Sequence, residues 1–276
     1  MALLEVKDLN KVYEMGLFVR RTIHAVKNVN FTVDQGQIVS LVGESGSGKT
    51  TTAKMILRLL APTSGDIIVD GINVWKDIKT VEDKRNYYKK VHAVFQDPFA
   101  SYNQFYPIDR ILYQALELLG LNTDNPKAKE LLEEALVNVG LEPKNILGKY
   151  PHQLSGGEQQ RIMIARCWLL RPALIIADEP VSMIDASTRG GIIKLFEKLR
   201  DDTNTSVIFI THDLGLAYYI SDKIFIMYLG EMVEEGTPDE IISNPKHEYT
   251  KNLIGSIPTL YKKWEDLEEP DNIRVS

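Results

Sequence analysis

One turn constrains this chain more than any other stretch: Gly43-Glu44-Ser45-Gly46-Ser47-Gly48-Lys49-Thr50. Apolar residues precede it (Ile38, Val39, Leu41, Val42), and a helical pattern follows (Ala53, Met55, Ile56, Leu59, Leu60). Strand, glycine-rich loop and helix in that order are the context in which G-x-x-x-x-G-K-T cradles phosphates. Glycines let the backbone close around a triphosphate and aim successive N–H groups at its oxygens. The helix starting near Lys49, which runs on through Thr51, adds the positive end of its dipole. Lys49 has the reach to meet β- and γ-phosphates, and the Thr50 hydroxyl suits Mg²⁺. A chance match would produce the pattern in roughly one chain of this length in a hundred. Binding of a nucleoside triphosphate is the expectation.

A length of 276 residues leaves room for one large domain or two small ones. With 32 basic against 38 acidic residues the net charge is −6, which argues against a large nucleic-acid footprint. The only cysteine, Cys167, excludes an intrachain disulfide or a cysteine-built cluster and fits a reducing compartment. Its apolar neighbours predict a buried core residue rather than a reactive thiol. Glu5 breaks any N-terminal signal pattern, and no apolar run approaches the ~20 residues of a membrane span. Any membrane association is therefore expected through a partner, from the cytoplasm.

Along the chain, residues 3–9 and 23–33 alternate as strands, with Lys11, Val12 and Tyr13 and then an irregular stretch holding Arg20 and Arg21 between them. The helix after the loop should run to about Leu60, before Pro62. Residues 65–74 predict a hairpin turning at Asp70-Gly71. Residues 79–90 carry charges of both signs at helical spacing, so a solvated helix face is favoured over a basic binding patch. After a short strand (91–95) the pattern becomes helical, with Leu132, Ala135, Leu136 and Val139 on one face and a loop cluster at 122–126. Strand–helix alternation returns with the apolar runs 173–177 and 207–210, as in a parallel sheet buried on both faces. A hairpin over 223–234, two short helices and an acidic tail (Glu265, Asp266, Glu268, Glu269, Asp271) complete the chain.

A triphosphatase also needs a carboxylate at a strand end facing the loop. Leu174-Ile175-Ile176-Ala177-Asp178-Glu179 supplies two. Alone this is an ordinary solvated strand terminus. Beside the loop, Asp178 becomes the hard oxygen that orients Mg²⁺ with Thr50, and Glu179 the general base for the attacking water. A third element, Leu154-Ser155-Gly156-Gly157-Glu158-Gln159-Gln160-Arg161, opens an amphipathic helix (Ile162, Ala165, Leu169). A Ser N-cap with an acidic first turn explains Ser155 and Glu158 but not two adjacent glycines. A bare helix N-terminus is itself an anion site.

In this order, phosphate loop, L-S-G-G-E and apolar-D-E resemble an ATP-binding cassette (ABC) ATPase over almost the whole chain. The resemblance implies an α/β fold: a P-loop NTPase (RecA-like) core with an N-terminal antiparallel β subdomain and an inserted α-helical subdomain. The corresponding division is 1–97 and 156–240 for the core, 98–155 for the helical part and 241–276 for a C-terminal extension. Gln96 matches the Q-loop glutamine that senses Mg²⁺ and couples to the membrane subunit. Ser182 and Asp185 match the D-loop, with Ile184 where leucine is commoner, a volume-conserving change. His212 matches the switch histidine at the γ-phosphate, and Tyr13 the aromatic that stacks on adenine. Taken singly, such a Tyr is more often packing and such a His surface or core. The resemblance also implies a head-to-tail dimer in which Leu154, Ser155, Gly156, Gly157 and Glu158 cover ATP held by the partner's loop.

Gln96-Asp97-Pro98-Phe99-Ala100-Ser101-Tyr102-Asn103, Asp178-Glu179-Pro180-Val181-Ser182 and Asn244-Pro245-Lys246-His247-Glu248-Tyr249-Thr250 are similar to the oligopeptide/dipeptide/nickel importer branch, in its shorter partner type. That branch implies a second ABC ATPase as heterodimer partner (a homodimer being the alternative), two transmembrane permease subunits and an extracellular solute-binding protein. The place of action is then the cytoplasmic face of the membrane. Substrates are peptides or, in some members, oligosaccharides. Tyr102 and Gln104-Phe105-Tyr106 depart from the commoner S-L-N-P wording, a departure that points to a different permease or sugar branch. No cysteine follows Tyr249, so the iron–sulfur cluster of many members is not expected. The competing class is a soluble ABC ATPase serving DNA repair or translation. Such proteins carry two cassettes or a long coiled-coil insert, and 49–155 shows neither sustained heptads nor a basic arm. An exporter half would be fused to a membrane domain.

Overall fold

The computed structural model describes residues 2–15, 21–97, 102–122 and 125–255. Arg20, 98–101, 123–124 and the acidic tail at 265–271 lie outside the described residues. Two sheets organise the rest. An antiparallel sheet has the order β2 (Arg21–Asp34), β1 (Ala2–Met15), β4 (Ser64–Val69), β5 (Ile72–Asn73). A six-stranded sheet has the order β10 (Glu231–Gly236), β9 (Lys223–Tyr228), β3 (Ile38–Val42), β8 (Ser206–Thr211), β7 (Leu174–Asp178), β6 (Val91–Val94). Within it only β9–β10 is antiparallel.

The parallel strands bury both faces, with the period of two expected of a central sheet. Ile175, Ala177, Val207 and Phe209 point into one core, while Leu174, Ile176, Ile208 and Ile210 point into the other. The second core joins the two sheets, where the Phe31 and Phe225 rings meet at 5.3 Å. The first is capped by helices, and there Phe196 stands edge-on to Phe209 at 5.9 Å. Fully burying one such ring is worth about 1.5–3 kcal/mol.

β1 and β2 are longer than the alternation predicts: Lys11, Val12 and Tyr13 continue β1 instead of leaving it. The cause is a run of bulges. Asp8 and Asn28 both take φ of 47°, and the register shifts between Val6 and Leu9 and again before Lys11. Side-chain amides replace the lost ladder bonds, Asn30 accepting from the Asp8 N–H and Asn10 from the Asn28 N–H. Each bulge flips the inward face, so a strict period of two is lost.

Helix α1 (Lys49–Ile56) also stops short of Leu60, because Arg58 turns to φ 57° and the Leu59 N–H reaches back to Lys54. The predicted hairpins form at Asp70-Gly71 and at Leu229-Gly230, each with two residues at positive φ. Helix α2 (Val81–Lys90) buries only Tyr87, as a solvated face should.

The helical part contains α3 (Arg110–Leu118), α4 (Pro126–Asn138) and α5 (Pro143–Ile146), followed by α6 (Gly156–Leu170). Asn125 caps α4 and Pro126 occupies its first turn. α6 is more deeply buried than an amphipathic helix, since it packs on α3, α4 and α7 (Ala186–Thr203) and against β6. Even Gln159 and Gln160 are fully buried. Cys167 lies within this core, where burial pushes its thiol up to about 11. The chain then runs through α8 (Leu214–Ile220), α9 (Pro238–Ser243) and α10 (Glu248–Gly255).

Candidate active site

Because β9, β3, β8, β7 and β6 are parallel neighbours, their carboxyl ends form one edge, where ligands of open α/β sheets bind. The register keeps these ends level: Val42 pairs with Thr211, Ile210 with Asp178, and Ala177 with Val94. Along that edge stand the glycine-rich loop after β3, His212 after β8, Asp178 and Glu179 at the end of β7, and Gln96 just beyond β6.

Steric crowding dictates the glycines of the loop. A Cβ on Gly43 would lie 2.2 Å from the Met227 carbonyl oxygen, and one on Gly48 would lie 2.5 Å from that of Ala25. Gly48 also has φ 107°, a conformation closed to ordinary L residues. Gly46 has φ 83° but faces open space, as a cradle for a ligand should. Glu44, Ser45, Gly46 and Thr50 are exposed, Thr51 is half-buried, and Ser47, Gly48 and Lys49 are buried. The Leu229-Gly230 turn supports the loop from outside, the Gly230 N–H donating to the Ser47 carbonyl at 3.0 Å.

Lys49 is 5 % exposed, and its ammonium donates to the carbonyls of Gly43 (2.6 Å) and Glu44 (2.7 Å) and to Ser47 Oγ (3.3 Å). Burial lowers its pKa, while the charges of Glu179, Asp178 and Glu44 pull the other way. A buried cation whose near partners are carbonyls and a hydroxyl is electrostatically incomplete, and a phosphate anion completes it. These residues fit a nucleoside triphosphate.

The Thr50 hydroxyl donates to Asp178 Oδ1 at 3.3 Å, and both line a cleft with Lys54, Gln96 and Arg166. Burial pushes the Asp178 carboxyl up, against the Thr50 hydrogen bond. Two hard oxygens with an adjacent amide oxygen suit Mg²⁺. Helix α6 fixes the strand that delivers Gln96: Arg166 donates to the Ala93 carbonyl at 2.8 Å and Gln160 to that of Phe95 at 3.4 Å.

Glu179 faces elsewhere. Its backbone takes φ 47°, outside the strand, and its carbonyl accepts the Ser182 hydroxyl at 3.0 Å. Its carboxylate meets His212 Nδ1 at 3.1 Å, so Glu179, Ser182 and His212 share a second, smaller cleft. A left-handed non-glycine residue costs of order 1–3 kcal/mol. The turn separates two successive carboxylates: Asp178 faces Thr50, Glu179 faces His212.

Ser155 caps α6 through a reciprocal box with Glu158: the Glu158 N–H donates to Ser155 Oγ, and Glu158 Oε2 accepts the Ser155 N–H at 2.8 Å. The bland reading of these two residues is therefore realised. Leu154 is buried, Ser155 is exposed, and Gly156 and Gly157 are half-buried. Asp185 is exposed at the start of α7, and Ile184 is buried. Tyr13 is 36 % exposed beneath the Lys11 ammonium and pairs with Ile23, two residues before the Ala25 carbonyl that crowds Gly48. The sequence places Tyr249 in a branch motif but gives it no part in the site; its hydroxyl accepts the Glu44 N–H at 2.9 Å. A separation of 205 residues hides that contact from any local pattern.

A glycine cradle with a buried lysine at the carboxyl edge of a parallel sheet, flanked by a carboxylate pair, defines a phosphate-loop nucleoside triphosphatase. The chain belongs to the ABC transporter family, whose model matches residues 26–182, and it is an ABC-type ATPase. A second model, described as the oligopeptide/dipeptide transporter C-terminal region, matches residues 233–275. The chain is 39% identical over 265 residues to the oligopeptide transport ATP-binding protein AppF of Bacillus subtilis, covering 95% of this chain and 80% of that one. It is 38% identical to the oligopeptide transport ATP-binding protein AmiF of Streptococcus pneumoniae, with coverage of 93% and 82%. Among solved structures, the ATP-binding cassette MJ0796, a dimer in a post-hydrolysis state bound to ADP and Pi, superposes with a TM-score of 0.75 at 30% identity. It covers 85% of this chain and 98% of that one. CbiO1 from Clostridium perfringens, part of an ABC transporter complex, gives 0.73 at 26% identity, with coverage of 88% and 91%. Among the described residues no helix is long and apolar enough to cross a membrane.

Proposed function

We propose that this chain hydrolyses ATP with Mg²⁺ to drive uptake of oligopeptides or dipeptides through a separate membrane permease. It would act as a peripheral subunit on the cytoplasmic face. The observation that carries the reading is the Thr50–Asp178 and Glu179–His212 pairing at adjacent strand ends, in a chain whose 233–275 matches the oligopeptide/dipeptide C-terminal region. AppF and AmiF are oligopeptide transport ATP-binding proteins, which favours peptides over the oligosaccharides that the sequence also allowed.

In this reading the residues at 43–51 hold the triphosphate and Tyr13 stacks on the base. Thr50, Asp178 and Gln96 would hold Mg²⁺, which when bound would neutralise phosphate charge. The Lys49 ammonium exchanges its carbonyl partners for phosphate oxygens, a stronger charge-assisted bond. Glu179 takes the proton of the attacking water, and His212 orients that carboxylate. The domain division 1–97 and 156–240, 98–155 and 241–276 then separates catalysis, coupling to the permease and a C-terminal support. A second ABC ATPase, foremost as a heterodimer partner, brings its own loop beneath Leu154, Ser155, Gly156, Gly157 and Glu158, with Ser182 and Asp185 at that junction. Two permease subunits and, indirectly, an extracellular binding protein complete the assembly, and no nucleic acid takes part.

Co-expression with the adjacent permease genes tests this reading. Two multi-span membrane proteins should co-purify, and proteoliposomes should take up peptide only with ATP inside the compartment that this subunit faces. ATP hydrolysis stimulated by DNA or ribosomes, with no membrane partner, overturns it.

A further inference from the structure

Helix α10 ends its approach to the sheet with one side chain on the phosphate loop. The Tyr249 hydroxyl accepts the backbone N–H of Glu44 at 2.9 Å. The carbonyl of that same peptide unit, the one of Gly43, accepts Lys49 Nζ at 2.6 Å. One peptide unit of the loop is thus held from both sides, by a phenol outside the loop and by the loop's own lysine.

Tyr249 is firmly seated. It is 9 % exposed, its ring stacks on Tyr228 with centroids 4.2 Å apart, and it packs in a cluster with Val42, Ile226 and Ile241. Val42 is the last residue of β3 and leads directly into Gly43, so ring and hydroxyl address the same corner of the backbone. The helix start is pinned as well. The Glu234 carboxylate accepts the N–H groups of Lys246 (2.7 Å) and His247 (3.0 Å), and His247 Nδ1 accepts the N–H of Tyr249 (3.1 Å). Packing alone would be satisfied by phenylalanine. The hydroxyl adds a bond to a loop whose N–H directions determine how well it receives phosphate.

We propose that Tyr249 is a positioning residue for the nucleotide: its hydroxyl fixes the Gly43–Glu44 peptide and so gives the C-terminal region control over the affinity of the phosphate loop. The inference rests on the ATP-binding reading of that loop. Without the hydroxyl, the Gly43–Glu44 peptide loses the anchor on its N–H side, and the N–H directions of the loop are less fixed. The lost order must then be supplied at the moment of binding.

The test uses the full chain. ATP affinity is measured by isothermal titration, KM by steady-state turnover, and thermal stability without nucleotide, for wild type, Tyr249→Phe and Ile241→Val. Ile241 lies in the same cluster but has no part in the loop. Tyr249→Phe should raise Kd and KM for ATP together by about 3- to 10-fold, the worth of one hydrogen bond. Ile241→Val should lower the melting temperature and leave Kd unchanged. Equal Kd values for wild type and Tyr249→Phe overturn the inference, and so does an equal rise in Ile241→Val, which would assign the effect to packing. Failure of the wild type to bind ATP would instead overturn the assignment of the loop itself, and this inference with it.

Discussion

The Thr50 hydroxyl and the Asp178 carboxylate, 128 residues apart in the chain, meet at 3.3 Å. One opens the helix after β3 and the other ends β7, two strands away across β8. Asp178 is buried enough that its carboxyl is pushed above the usual range. An ionised carboxylate there therefore carries a cost, which a cation beside it would relieve.

That cost has a sign in pH. A carboxyl with a folded pKa above its unfolded one favours the folded state most below the unfolded pKa, and this contribution is lost as pH rises through the folded value. At neutral pH, Asp178→Asn removes the cost while keeping an oxygen to accept from Thr50. The melting temperature of the nucleotide-free variant should rise by about 1–2 °C at pH 7. The gain should vanish below pH ~4, where wild-type Asp178 is protonated. The same variant should lose Mg²⁺-dependent turnover. A lower melting temperature at pH 7 would refute the electrostatic account.

The Glu179–His212 contact at 3.1 Å makes a second prediction. Glu179→Gln retains size and a hydrogen-bonding oxygen but cannot take a proton. ATP affinity should stay within twofold, while kcat falls by about 10²- to 10⁴-fold, the range for loss of a general base. His212→Ala should reduce kcat less, since Glu179 remains. Undiminished turnover in Glu179→Gln would remove the base from its assigned role.

Two glycines of one loop should respond differently to the same methyl group. Gly46 has room for a Cβ and only the strain of φ 83°, so Gly46→Ala should cost about 1 kcal/mol of stability, read by urea unfolding. Gly48 combines φ 107° with a carbonyl oxygen 2.5 Å from the new atom, so Gly48→Ala should cost 2 kcal/mol or more, on the order of a strained and crowded backbone site. Equal losses would mean that the contact with Ala25 is not tight.

Much of this architecture is legible in the chain because short-range rules govern it. The glycine loop, the buried strands at 174–178 and 206–211, the two hairpins and the charged helix all follow from local periodicity and turn residues. The losses have a shared cause in backbone conformations that no residue type announces. Asp8 and Asn28 at φ 47° break the alternation of β1 and β2, and Arg58 at φ 57° ends α1 early. Glu179 at φ 47° is the same event at the site, turning one of two consecutive carboxylates toward His212. Motif order named the residues there, but only the fold sets their directions. Contacts such as Tyr249 with Glu44 and Gly230 with Ser47 join distant segments and leave no local trace.

Ser155 carries two burdens that one pair of variants separates. Its hydroxyl accepts the Glu158 N–H at 3.2 Å and donates to Glu158 Oε2 at 2.8 Å, which makes it the cap of a fifteen-residue helix otherwise buried in the core. In the proposed dimer the same exposed hydroxyl faces the partner's ATP. Ser155→Ala should therefore lose about 1 kcal/mol of stability in urea unfolding. Ser155→Asn, an equally good cap whose amide can still donate to Glu158, should recover most of that loss. Its larger side chain would crowd the partner's triphosphate, however, so turnover should stay as low as in Ser155→Ala even though the fold is restored. Recovery of turnover together with stability in Ser155→Asn would show that Ser155 only caps α6 and has no role across the dimer.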